Sequence, residues 1–147
     1  MSAGYNNGLS PYENKGKLNL VEKEENKAQI DSKSHQLAKL IEQSHTIVFH
    51  TGAGISTSCG IPDFRGPRGV WTLEAKGEVV DEGAKWVDTR PSFTHMALVA
   101  LEANQKCEWL ISQNVDGLHS RSGYPLDRLA ELHGNVFCEH CTRCGHR

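Results

Sequence analysis

The feature that most constrains the fold is a short apolar run that ends in glycines: Thr46-Ile47-Val48-Phe49-His50, then Thr51-Gly52-Ala53-Gly54. β-branched and aromatic residues stopped by glycine read as a buried strand and a turn. Ahead of it, Leu37, Leu40, Ile41 and Ser44 recur at helical spacing, with Asp31, Ser32 or Ser34 placed to cap the start. Helix, strand and glycine turn in that order open an α/β domain. The 147 residues are enough for one domain of ordinary size. Residues 1–30 lack a sustained apolar period and read as an N-terminal arm, with Leu9, Tyr12, Leu18, Leu20 and Val21 available to pack on a neighbouring surface.

Residues 60–91 are rich in Gly, Pro and charge and predict a long loop with one short helix near Thr72 to Lys76. Pro91 opens a helix whose stripe is Phe93, Met96, Ala97, Ala100 and Leu101. Glu108-Trp109-Leu110-Ile111-Ser112 is a second strand. Leu129 to Leu132 and Val136-Phe137 are short strands around His133-Gly134.

Composition removes several classes of function. Lys plus Arg is 16 and Asp plus Glu is 18, so there is no broad positive footprint for coating nucleic acid. The longest apolar run, Met96 to Leu101, falls far short of the roughly 20 residues of a membrane helix, so no membrane partner is expected. The N-terminus has no apolar segment of the secretory kind. Cysteines are odd in number, 5, and three of them fall within residues 138–144. That favours reduced thiols and a metal site over a disulfide framework.

Five constellations carry chemistry. Gly52-Ala53-Gly54-Ile55-Ser56 follows a strand, where a Rossmann-type turn lets a pyrophosphate approach the backbone. The third glycine of the usual fingerprint is replaced by Thr57, and a tight turn without ligand is the competing explanation. In Gly60-Ile61-Pro62-Asp63-Phe64-Arg65-Gly66, Arg65 suits phosphate oxygens bidentately; a local Asp63–Arg65 pair is the alternative. Gln113-Asn114-Val115-Asp116 ends a strand, where open α/β sheets bind ligands, and where Asx turns are also common. His133 is one of 8 histidines; imidazole suits proton transfer near neutral pH, and a structural or surface role competes. Cys138-x-x-Cys141-x-x-Cys144, with His140 and His146 interleaved, has the spacing of a zinc half-site. Cys59 and Cys107 read as core or near-core cysteines.

Taken together, these strings resemble the sirtuin family. Gly52 to Ser56 running into Gly60 to Gly66 resembles its cofactor motif. Gln113-Asn114-Val115-Asp116-Gly117-Leu118-His119 resembles its second motif, and Leu132-His133-Gly134-Asn135 the segment with its catalytic histidine. Gly66-Pro67-Arg68-Gly69-Val70-Trp71-Thr72 resembles the chromatin-associated branch. Gly8-Leu9-Ser10-Pro11-Tyr12 with Lys15-Gly16 is similar to the sixth mammalian type in particular.

The resemblance implies a Rossmann-like parallel-sheet NAD-binding domain over residues 31–147, with the start of a small zinc-binding module near 138. It implies an NAD-dependent protein-lysine deacylase acting on histones or other proteins of chromatin, in the nucleus, with ADP-ribosyl transfer in some members. NAD is a consumed co-substrate in that chemistry. By position, Gly52, Ala53, Gly54, Thr57, Asp63, Phe64, Arg65 and Trp71 would line the co-substrate, and Gln113 would meet its nicotinamide-side ribose. Asn114 and Asp116 would serve the nicotinamide pocket, and His133 would be the general base beside the same co-substrate. Cys141 and Cys144 match the first zinc pair; Cys138 is an extra thiol. The chain lacks the second cysteine pair and the later strands of the family, so it is expected to correspond to the N-terminal part of such an enzyme. The alternative is an inactive chain acting only through binding.

Overall fold

The computed structural model describes residues 14–78, 86–139 and 141–146. The segment around Leu9 and Tyr12 and the interleaved His140 lie outside the described residues. The element order is α1 (Lys27–Gln43), β1 (Val48–Thr51), α2 (Val70–Lys76), α3 (Phe93–Ala103), β2 (Trp109–Ser112), α4 (Leu118–Arg121) and β3 (Leu129–Glu131).

The three strands form one parallel sheet in the order β1-β2-β3. Thr51 lies opposite Ser112, and Ser112 opposite Glu131, so all three strands end on one line. The loops that leave that line carry the glycine turn, Gln113 to Gly117, and His133. Parallel pairing thus gathers three distant stretches at the carboxyl edge, where open α/β sheets bind ligands. The Rossmann-like α/β class read from the sequence is the class observed.

The core is Leu98, Cys107, Leu110 and Tyr124, packed against Phe49, Ile55, Val99, Leu101 and Leu129. It ties α3 to the sheet. Cys107 Sγ and Tyr124 Oη are 3.1 Å apart, and burial pushes the Tyr124 hydroxyl above its ordinary range. The near-core assignment of Cys107 and Cys59 is met: the first is buried and the second half-buried.

Several elements differ from expectation. Helix α1 begins at Lys27, ahead of Asp31, because Asn26 and Gln29 form a capping box: each side chain accepts from the other's backbone N–H at 3.0 Å. The buried face of α3 is His95 and Leu98; Phe93 and Met96 of the expected stripe are exposed. The reason is again a cap. Ser92 pairs with His95 as its third helical residue, which turns the imidazole inward. Val136-Phe137 is a turn, since the Asn135 side chain accepts from the Phe137 N–H at 2.9 Å and holds the chain out of strand geometry. In β1, Val48 and His50 are exposed and Phe49 and Thr51 half-buried, because α1 buries none of its residues over the sheet. The short helix expected near Thr72 to Lys76 is α2.

Candidate functional site

The glycine turn does not open an α-helix. Two 3₁₀ turns follow it, Ala53–Ile55 and Thr57–Cys59, and Gly60 closes the second at a φ of 85°. The site therefore gains local N–H groups without the dipole of a long helix. No atom lies within 4 Å of where a Cβ would stand on Gly52 or Gly54, so this backbone faces open space that a ligand can approach. Thr57 is exposed, and its hydroxyl donates to the Gly54 carbonyl at 3.2 Å.

Ser56 joins the turn to the second strand loop. Its side chain is 1% exposed, and its Oγ donates to Asp116 Oδ2 at 2.7 Å. Asn114 Nδ2 donates to the Gly52 carbonyl at 2.9 Å and to Ser56 Oγ at 3.2 Å. Asp116 Oδ1 accepts from the Leu118 N–H at 2.9 Å. Both Asp116 oxygens are thus engaged, and the buried carboxylate locks the two loops in register. Gly117, at a φ of 66°, is forced: a Cβ there would stand 2.9 Å from Asn135 Oδ1.

The Asp63 to Trp71 loop is built around the Asp63 carboxylate, whose Oδ1 accepts from the Gly66 N–H at 3.1 Å. A Cβ on Gly66 would fall 2.3 Å from that carboxylate and displace it, and one on Gly69 would fall 2.5 Å from both the carboxylate and the Phe64 backbone, so only glycine fits at position 69. Asp63 therefore organises its own loop, and no Asp63–Arg65 ion pair forms among the described residues. Phe64 and Trp71 rings meet at 4.9 Å, and the exposed Arg65 guanidinium lies 4.6 Å from the Trp71 ring centre.

A cavity of about 600 Å³ lies between these loops. It is lined by Ala53, Asp63, Phe64, Arg65, Trp71, Gln113, Asn114, Asp116 and His133, nine of the residues singled out from sequence. Gly52, Gly54 and Thr57 stand beside it and do not line it. His133 sits in the exposed turn after β3 and contributes to the wall. A second cavity, about 380 Å³, is lined by Ser44, Lys106, Arg128 and their neighbours and holds none of these residues.

Sequence reasoning missed the layer behind the cavity. His95 from α3 and His119 from α4 are fully buried, with ring centres 4.7 Å apart. His119 Nε2 and Thr51 Oγ1 are 2.8 Å apart, as are His95 Nδ1 and Ser92 Oγ. Burial pushes His119 down to about 4; the neighbouring His95 adds to this and Asp116 opposes it. Burial also lowers His95, again against Asp116. Ser56, Trp86 and Asn14 of the lining were missed as well. Ser56 and His119 stand inside quoted motifs, but neither has a spacing that announces its role.

The thiols of Cys138, Cys141 and Cys144 are exposed and free. Hydrogen bonds from the backbone and side chain of Cys144 and the backbone of Arg143 hold the Cys141 thiol below its usual range, which favours the thiolate a metal binds. Among the described residues no three His, Cys, Asp or Glu side chains gather as a metal site. The thiols of Cys141 and Cys144 have donor chemistry that suits zinc, and the described residues assemble no site around them.

This arrangement has relatives. A family model described as the Sir2 family matches residues 52–88 and 78–147. The NAD-dependent protein deacetylase Sirt6 of Drosophila melanogaster is 51% identical over 144 residues, which is 98% of this chain and 45% of that protein. The NAD-dependent protein deacetylase sirtuin-7 of Homo sapiens is 44% identical over 116 residues, 79% of this chain and 29% of that protein. A solved complex described as Sir2, p53 peptide and NAD+ superposes with a TM-score of 0.58 at 35% identity, covering 75% of this chain and 49% of that one. Another, Sir2 bound to acetylated peptide, gives 0.57 at 32% identity over 76% of this chain and 50% of that one. The chain spans less than half the length of these curated relatives.

Proposed function

The chain belongs to the Sir2 family, and from that premise we propose that it supplies the nicotinamide side and the general base of an NAD-dependent protein-lysine deacylase. The observation that carries this reading is the convergence of nine motif residues on one cavity at the carboxyl edge of a parallel sheet. The substrates we propose are acylated lysines of histones and other chromatin proteins in the nucleus, with ADP-ribosyl transfer as a second outcome of the same chemistry. Relatives described with NAD+ and with acetylated peptide support the co-substrate and the substrate class.

NAD, as co-substrate, supplies an electrophilic ribose carbon with nicotinamide as its leaving group. The chain's residues bind and orient. The open backbone at Gly52 and Gly54 and the Arg65 guanidinium take the phosphate side. Phe64 and Trp71 exclude water. Gln113 meets the ribose, and Asn114, held by the Gly52 carbonyl, faces the nicotinamide pocket that buried Asp116 keeps in shape. The His133 imidazole, at the cavity wall, takes the proton of a ribose hydroxyl. Cys141 and Cys144 would hold one side of a structural zinc, joined by ligands beyond the described residues.

The test uses a protein that carries this chain at the full length of its Sir2-family relatives. His133→Ala is expected to reduce deacylation of an acetylated histone peptide by about 10²–10⁴-fold while calorimetric NAD affinity stays near wild type. Arg65→Ala should do the reverse and weaken NAD binding by about 1.5–3 kcal/mol. Near-normal turnover in the histidine variant overturns the role given to His133.

A further inference from the structure

Residues 14–19 lie across the Asp63 to Trp71 loop in neither helix nor strand, yet their shape is specified. Gly16 and Asn19 both take positive φ, 71° and 55°, and the Asn14 side chain accepts from the Gly16 N–H at 3.2 Å. Glycine and asparagine are the residues that enter this backbone region most readily. The result is a strap that meets Arg65 twice. Arg65 Nε donates to the Lys15 carbonyl at 3.0 Å, and the Asn19 N–H donates to the Arg65 carbonyl at 3.0 Å. The strap is latched to α2 by an ion pair of 2.6 Å between Lys15 Nζ and Glu74 Oε2. Asn14, at its head, lines the cavity.

We propose that this strap is a positioning element for Arg65, holding the guanidinium ready over Trp71 and so setting affinity for the co-substrate. The proposal rests on the reading that the cavity takes NAD. An arginine side chain has many rotamers, and freezing it on binding weakens affinity; contacts that freeze it beforehand remove that loss. Arg65 is exposed, so the protein has no buried wall to do this. The Lys15 carbonyl uses one guanidinium nitrogen, and the forked end stays available for phosphate oxygens. Lys15 and Asn19 act through Arg65 and touch no reacting atom.

The experiment compares three variants in the protein of full catalytic length: Lys15→Glu, the charge swap Lys15→Glu with Glu74→Lys, and Asn19→Pro. Each is read by amide hydrogen exchange over residues 63–72 and by steady-state kinetics with NAD. Lys15→Glu sets two carboxylates together. It should speed exchange in the loop and raise the KM for NAD about two- to fivefold, with kcat within about twofold. The swap should return both readouts toward wild type. Asn19→Pro removes the N–H and cannot adopt a positive φ; a rise in KM of about tenfold is expected. A KM that stays put while the loop loosens overturns the proposal, as does a loop unmoved by every variant. A KM that rises with no change in exchange also overturns it, because the strap would then act by touching the co-substrate. If the wild-type protein does not use NAD at all, the reading of the cavity fails, and exchange in the loop still decides whether the strap anchors Arg65.

Discussion

Ser56 shows how much of the site one hydroxyl can hold. It is buried, donates to Asp116 and accepts from Asn114, and so fixes the spacing between the glycine turn and the second strand loop. Ser56→Ala leaves a buried carboxylate oxygen short of a donor. The expected loss is about 1.5–3 kcal/mol of unfolding free energy, measured by denaturant titration. Ser56 is invisible as a functional residue in the sequence, because a serine after two glycines is an ordinary turn residue. Arg65 and His133 were singled out in the sequence and both line the cavity; Arg65 stood out by its residue type in a glycine–proline loop, and His133, one of 8 histidines, only through the family resemblance. Asp63 was only half legible. Its carboxylate organises the Gly66 turn, a role that appears only once the two glycines are seen packed against it.

At the scale of elements, β1 was legible from its β-branched and aromatic run, the parallel sheet was expected only from the family resemblance, and the faces of the helices were not legible. Helix α3 turns on the Ser92–His95 capping pair, which outweighs the apolar stripe and buries an imidazole instead of Phe93. That choice has a consequence for stability. His119, whose ring is tilted against that of His95, is pushed by burial down to about 4, below the 6.5 of an unfolded histidine. The unfolded chain therefore takes up the proton first. The stabilisation is present above about pH 6.5 and is lost as pH falls toward 4. Between pH 7 and 5, before most carboxylates titrate, the loss from His119 should be roughly 2 kcal/mol, and His95, lowered in the same direction, adds to it. Denaturant titrations across that range, with histidine proton resonances followed by NMR, check this. A stability flat from pH 7 to 5 would show that the two rings are not held neutral by burial.

At the scale of the whole molecule, the described three-stranded sheet leaves apolar strand residues uncovered. Strands of parallel sheets are normally covered on both faces, yet Val48 of β1 and Trp109 of β2 are 42% and 43% exposed. Among the described residues the β1 strand pairs with β2 alone, which leaves its other edge without a strand partner there. Helix α1 presents Ile30, Leu37 and Leu40 to solvent. Apolar patterning marks a residue as fit for burial without saying what buries it; exposed edges and apolar faces were expected only from the later strands that the family resemblance implies. The solved relatives extend to about twice the length that matches here. A co-substrate in the 600 Å³ cavity meets the glycine turn, Arg65 and Gln113 on one side, and effective catalysis needs its reacting carbon held within fractions of an ångström of a productive geometry. With a bare sheet edge next to the glycine turn, that precision should not be reached. We therefore expect the 147-residue chain, purified alone and supplied with NAD, zinc and an acetylated histone peptide, to show no deacetylation by mass spectrometry above a His133→Ala control. Deacetylation clearly above that control would mean that three strands suffice to orient the co-substrate, and that the bare edge of β1 has no part in catalysis.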